Sequence, residues 1–130
     1  MIAYRETHEV DLDQVIALLR LLGFDRGCDR ARFEQQLAGA RYVVSAWDGD
    51  RLVGFARAIS DGATNAYINT VAVLPEYQRR GVGQEMMARL LAGKDGITFV
   101  LHAGGRDVKG FYLKCGFAEA TDMMRRARKF

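Results

Sequence analysis

Apolar positions along this 130-residue chain switch between helical and strand spacing, and the switches mark its elements. Ile2 to Arg5 reads as a short strand. Leu12, Val15, Ile16, Leu19 and Leu22 then recur at helical spacing behind Asp11, an N-cap with Gln14 three residues on, until Gly23 ends the run. Gly23 to Cys28 is a polar, glycine-bounded loop. Asp29 next caps a second helix whose apolar residues are Phe33 and Leu37, ending at Gly39. Tyr42 to Trp47 and Leu52 to Ile59 are strand-like runs around Asp48-Gly49-Asp50, a hairpin signal. Ser60-Asp61-Gly62 turns the chain into a further strand, Ala66 to Leu74. Pro75 ends it, because proline cannot donate to a ladder.

After Gly81 the spacing becomes helical again, with Val82, Met86, Met87, Leu90 and Leu91 on one face. Lys94-Asp95-Gly96 leads into Ile97 to Leu101, an apolar run of strand length. A short helix is predicted from Asp107 to Lys114, closed by Gly116, and a last strand from Phe117 onward. The order is strand, two helices, three antiparallel strands, helix, strand, helix, strand. It predicts a single mixed α/β (α+β) domain over residues 1–130 with a largely antiparallel sheet.

Composition narrows the class. Apolar residues make up 49% and charged residues 27%, which suits a globular domain and excludes a disordered one. The unbroken apolar stretches are too short to span a bilayer, so no membrane partner is expected. The N-terminus lacks the basic-then-apolar pattern of a signal peptide. Cys28 and Cys115 stand far apart with no Cys-x-x-Cys spacing, so a reduced, cytoplasmic compartment is the expectation. The net charge of +3 does not predict a nucleic-acid partner, since the basic residues alternate with acids except at Arg125, Arg126, Arg128 and Lys129. No cluster with metal-ligand spacing is present in the sequence, and no metal is expected.

One segment carries most of the chemistry. Val71-Ala72-Val73 runs through Pro75-Glu76-Tyr77 into Gln78-Arg79-Arg80-Gly81-Val82-Gly83-Gln84 and straight into an amphipathic helix. Backbone N–H groups, two guanidinium groups and the positive end of a helix dipole converge there, which favours a phosphate or pyrophosphate. A Rossmann fingerprint would need a third glycine at position 86, which is Met, and the Gly-Lys-Ser/Thr of a P-loop is absent.

The segment from Val71 to Gly83 resembles the acetyl-CoA signature of the GCN5-related N-acetyltransferase (GNAT) superfamily. Phe111-Tyr112-Leu113-Lys114-Cys115-Gly116-Phe117 resembles its second signature. The resemblance implies a splay between two neighbouring parallel strands, Ala66–Leu74 and Ile97–His102, with the pantetheine arm of acetyl-CoA in the gap. It assigns backbone groups of Val71 and Val73 to the pantetheine amides. The amides from Arg79 to Gln84 would hold the pyrophosphate, and the Arg79 and Arg80 guanidinium groups would lie near the nucleotide phosphates. It further implies direct transfer of acetyl to an amine, with Tyr112 as general acid toward the thioester sulfur.

The sequence departs from the family pattern twice. Asn69 and Thr70 stand where many relatives carry a carboxylate base on the fourth strand. Asp61, Glu76, Glu119 and His102 are the candidate substitutes, and water can also take the proton. Gly105 stands where relatives often have Asn, and Gly104-Gly105 suggests a looser entry to the following helix.

Two functions follow from the resemblance. One is acetyl-CoA-dependent transfer to the primary amine of a small molecule held near the Gly23–Cys28 loop, with Asp25, Asp29 and Glu34 as acids able to attract a cation. The other is a CoA-binding regulatory or interaction module without turnover. The missing carboxylate points to the second and Tyr112 to the first. A homodimer, common in the superfamily, would place the basic final strand at an interface.

Overall fold

The computed structural model describes residues 1–105 and 107–129. Strands β1 (Ala3–Arg5), β2 (Tyr42–Asp48), β3 (Arg51–Ser60), β4 (Asn65–Val73) and β5 (Thr98–Leu101) form one sheet in chain order. Helices α1 (Leu12–Leu21) and α2 (Arg30–Gly39) follow β1. Helix α3 (Val82–Leu91) links β4 to β5, and α4 (Val108–Lys114) follows β5. All strand pairs are antiparallel except β4 with β5, which are parallel.

Local chemistry starts the helices as predicted. Asp11 accepts the Asp13 N–H at 3.0 Å, and Asp29 accepts the Arg32 N–H at 3.0 Å. Gln14 does more than a capping residue: its Nε2 donates to Asp50 O at 3.0 Å and its Oε1 accepts the Leu52 N–H at 2.8 Å. The first turn of α1 is thereby tied to the β2–β3 hairpin.

Alternation along β3 separates two layers. Gly54, Ala56 and Ala58 face α3, where Met86, Met87 and Leu90 are fully buried. A Cβ on Gly54 would lie 3.0 Å from Met86 Sδ and 3.2 Å from Ala46 Cβ, so the helix sits on the sheet with no spare layer between them. Phe55 and Arg57 take the opposite parity, toward α1 and α2, where Val15, Leu18, Leu19 and Phe33 complete the core.

Two irregularities in β4 prepare the site. The register with β3 passes from Arg57↔Thr70 to Ala58↔Ile68, so Asn69 is an extra residue, a bulge. Pairing with β5 starts at Asn65↔Thr98 and ends at Ile68↔Leu101, immediately before that bulge. Beyond it β4 continues with no strand beside it on that side among the described residues.

The last strand expected from Phe117 onward is absent: the described residues after α4 form no helix or strand. The segment holds few β-branched or aromatic residues, and its adjacent Met123 and Met124 cannot both face one side of a sheet. It is held instead by side chains, through Lys109–Glu119 at 3.0 Å and Arg125 Nη1 to His102 Nε2 at 3.5 Å.

Replacing Gly54 with Val forces branched carbon into the Met86–Ala46 contact. Equilibrium denaturation should show a loss of about 1–3 kcal/mol, the usual range for overpacking. An unchanged midpoint would mean that α3 does not press on β3 as described.

Candidate active site

The site begins with peptide groups left over by the sheet. Leu74 N–H donates to Val53 O at 2.9 Å, which makes Gly54 and Val73 a non-hydrogen-bonded pair. The peptide groups of Val73, and of Val71 two residues earlier, therefore point away from β3, to the side where β5 has ended. Ala72 between them turns its peptide groups into the β3 ladder and buries its methyl group, so it contributes spacing. Gln78 closes one end of the opening, where its Nε2 donates to Val73 O at 3.0 Å.

The loop that follows offers donors. Arg79 (φ 62°) and Gly81 (φ 83°) both adopt left-handed backbone, a geometry that turns successive N–H groups to one side. Gly81 is the N-cap of α3 and has no side chain to occupy the first-turn amides, so those of Val82, Gly83 and Gln84 are left for a ligand. Gly83 is required by close approach: a Cβ there would lie 3.1 Å from the Phe111 ring of α4 and 3.8 Å from Val73 Cγ2. Arg80 rests over the Tyr77 ring with its Cζ 5.3 Å from the centroid, and Arg79 is exposed. Gly81 and Gln84 line a groove of about 480 Å³ between α3 and α4 that reaches Lys114 and Cys115.

Tyr112 is positioned by the end of its own helix. Gly116 (φ 94°) donates to Leu113 O at 3.1 Å and Phe117 N–H to Tyr112 O at 3.0 Å, the paired bonds of a Schellman motif. The motif folds the Phe117 ring back onto Tyr112, centroids 5.9 Å apart and edge-on, while Phe111 packs edge-on from the other side at 5.0 Å. Burial pushes the Tyr112 hydroxyl above the ordinary value of 10.0, so it stays protonated at neutral pH. Burial likewise pushes the Cys115 thiol up, which keeps it a poor nucleophile.

Tyr112 and Val71 line one cavity of about 530 Å³, bounded by the Gly23–Cys28 loop, Asn69, Thr70 and Gly104-Gly105. The two glycines do not loosen the entry to α4. A Cβ would meet the His102 ring at 2.7 Å from Gly104, and Val108 Cγ2 at 2.7 Å from Gly105, so the turn is tight.

Of the four candidate bases only His102 lines this cavity. Asp61 accepts the N–H groups of Ala63, Thr64 and Asn65, which hold its carboxyl far below the usual carboxylate range. Glu76 is paired with Arg51 at 2.8 Å and Glu119 with Lys109 at 3.0 Å. Among the acids expected to attract a cation, Asp29 caps α2 and Glu34 pairs with Arg30, leaving Asp25 at the cavity. Two residues that the sequence reading missed, Arg57 and Arg128, also line it. Among the described residues no group of three His, Cys, Asp or Glu side chains is placed to hold a metal ion.

A family model described as the acetyltransferase (GNAT) family matches residues 9–117. The chain belongs to that family. A GCN5-related N-acetyltransferase 1, chloroplastic, from Arabidopsis thaliana is 35% identical over 91% of this chain, which spans 61% of that protein's length. A serotonin N-acetyltransferase 2, chloroplastic, from Oryza sativa is 44% identical over 58% of this chain and 38% of its own. Among solved structures, a probable acetyltransferase from Staphylococcus aureus superposes with a TM-score of 0.86 over 100% of both chains at 26% identity. No helix among the described residues is long and apolar enough to cross a membrane.

In this GNAT domain the Schellman turn should govern Tyr112. Gly116→Ala must hold an L-residue in left-handed backbone, which costs about 1–2 kcal/mol. It should lower the denaturation midpoint accordingly and weaken the near-ultraviolet circular dichroism of the Phe111–Tyr112–Phe117 cluster. Retention of both signals would mean that the motif does not set the tyrosine.

Proposed function

We propose that this protein transfers acetyl from acetyl-CoA directly to the primary amine of a small molecule. The observation that carries the reading is the pairing of Tyr112, kept protonated by burial, with Val71 in a single cavity. The peptide groups of Val71 and Val73 fit the role of a strand edge for an extended amide-bearing arm, as β-augmentation requires. The amides of Val82, Gly83 and Gln84, with Arg79 and Arg80 nearby, fit a pyrophosphate. Family membership and the named N-acetyltransferases among its relatives support the same reading. Serotonin, named for the rice relative, is one example of the primary amines in this class.

In the reaction the amine nitrogen forms a bond to the thioester carbon as the carbon–sulfur bond breaks. Tyr112 gives its proton to the departing sulfur and recovers one from the new amide nitrogen, so the enzyme returns to its starting state. The acceptor must arrive as a free amine. A Lys-like ammonium titrates near ~10.4, and His102 or water takes its proton at the cavity.

Tyr112→Phe should lower kcat for thiol release by about 10²–10⁴-fold, the usual yield of a positioned acid. CoA affinity, read by calorimetry, should change little. Tight CoA binding with no turnover on any amine in a broad panel would sink the enzyme reading in favour of a binding module.

The pH profile has a determined sign. Rate should rise with pH as the acceptor ammonium loses its proton, with no limb in the carboxylate range. It should fall only above the raised Tyr112 value, where the acid is spent. An acid limb near ~4 would instead reveal a carboxylate base.

A further inference from the structure

Among the described residues Arg57 is the one charged side chain buried in the core, with 6% of its surface exposed. It lies on β3 in the run Leu52-Val53-Gly54-Phe55-Ala56-Arg57-Ala58, where every other residue is apolar and buried. Its Nε donates to Thr70 Oγ1 at 3.2 Å, and among the described residues neither Nη atom has a hydrogen-bond partner. Neither Nη is sealed from space either, since among the described residues no buried side-chain nitrogen or oxygen lacks a partner. The free end of the fork therefore opens into the cavities that Arg57 lines, one of which contains Tyr112.

A guanidinium in that setting calls for an anion. Burial depresses its pKa, and the groups acting against that shift are Tyr67 and Cys28, with no carboxylate among them. An uncompensated buried charge is costly to a fold, and a carboxylate or phosphate accepting both Nη groups would offset it. The rest of the cavity has the same sign: among the described residues Arg26 and Arg128 line it against the one carboxylate of Asp25. Its volume of about 530 Å³ suits a small molecule.

We propose that the acceptor amine carries an oxyanion, carboxylate or phosphate, and that Arg57 seats it through its two free Nη groups, leaving the amine to reach the Tyr112 end of the same cavity. The proposal rests on the acetyltransferase reading for the amine, and on Arg57 alone for the anion. It disfavours simple cations such as polyamines, which bring no anion to the guanidinium and add charge of its own sign.

The test uses substrate pairs that differ in the anion: phenylalanine with phenethylamine, 5-hydroxytryptophan with serotonin, glucosamine 6-phosphate with glucosamine. With acetyl-CoA and the wild-type protein, at least one anion-bearing member should exceed its partner tenfold or more in kcat/KM. The carboxylate pairs and the phosphate pair report which oxyanion is used. Arg57→Met should bring that ratio close to one, chiefly through KM, and should melt at or above the wild-type temperature because a buried charge is gone. Arg57→Lys keeps the charge but not the fork and should retain only part of the preference. Preference for the anion-free member in every pair, or a ratio unchanged in Arg57→Met, overturns the proposal. A destabilised Arg57→Met with the ratio intact would show Arg57 to be only a brace for Thr70.

A binding arm separates the two readings. In the presence of CoA, 3-phenylpropionate or inorganic phosphate should bind the wild-type protein at least tenfold more tightly than Arg57→Met. If no amine releases thiol yet this difference holds, the transferase reading fails and the anion seat stands. If neither probe shows Arg57-dependent binding, the seat fails whatever the turnover.

Discussion

The parting of β4 from β5 is the constraint on which the rest of the site depends. A parallel pair satisfies each strand's peptide groups only while both strands continue, and here β5 ends at Leu101 while β4 runs on to Val73. The bulge at Asn69 adds the local twist that carries β4 away. The half-buried peptide groups of Val71 and the Val73 N–H have no ladder partner on that side among the described residues, so the space beside them suits an extended ligand rich in amides. Both flanking elements conform to that opening. Helix α3 starts directly below it with uncapped amides, and α4 closes over it through the Gly83–Phe111 contact.

Electrostatically the site divides into a neutral tyrosine and positively charged surroundings. Tyr112 is held neutral by burial between two rings, and Cys115 nearby is held as a thiol by the same cause. The carboxylates considered as bases are engaged elsewhere, by backbone amides at Asp61 and by cations at Glu76 and Glu119. What remains charged along the Tyr112 cavity among the described residues is mostly guanidinium. Such a site relies on position more than on a strong base, which suits a reaction whose nucleophile can arrive already deprotonated.

Much of this was legible in the sequence because it depends on local rules. The Asp48-Gly49-Asp50 turn, the caps at Asp11 and Asp29, the stop at Pro75 and the Gly81 helix start each follow from one or two residues, and each holds. What escaped depends on distant partners. The reach of Gln14 to the hairpin requires knowing that α1 lies beside it. The last strand expected from Phe117 onward followed from the alternating order of elements, but its side-chain composition does not support one, and none forms among the described residues. Arg57 did leave a signal: a single cation inside an apolar run too uniform to have a wet face. Read alone it passes for an edge residue, and only the sheet order, with β3 in the centre, shows that it has nowhere exposed to go.

Backbone strain is distributed in keeping with this arrangement. The non-glycine residues with positive φ among those described are Arg26, Arg79 and Asp107. Arg26 borders the Tyr112 cavity, Arg79 precedes the α3 amides, and Asp107 begins the helix that carries Tyr112. Each conformation costs an L-residue about 1–2 kcal/mol and persists only where its surroundings dictate it. The strain therefore sits in three loops around the Tyr112 cavity and the start of α3, while the sheet and the α1–β3–α3 core, which carry no such residue among those described, supply the stability that sustains it.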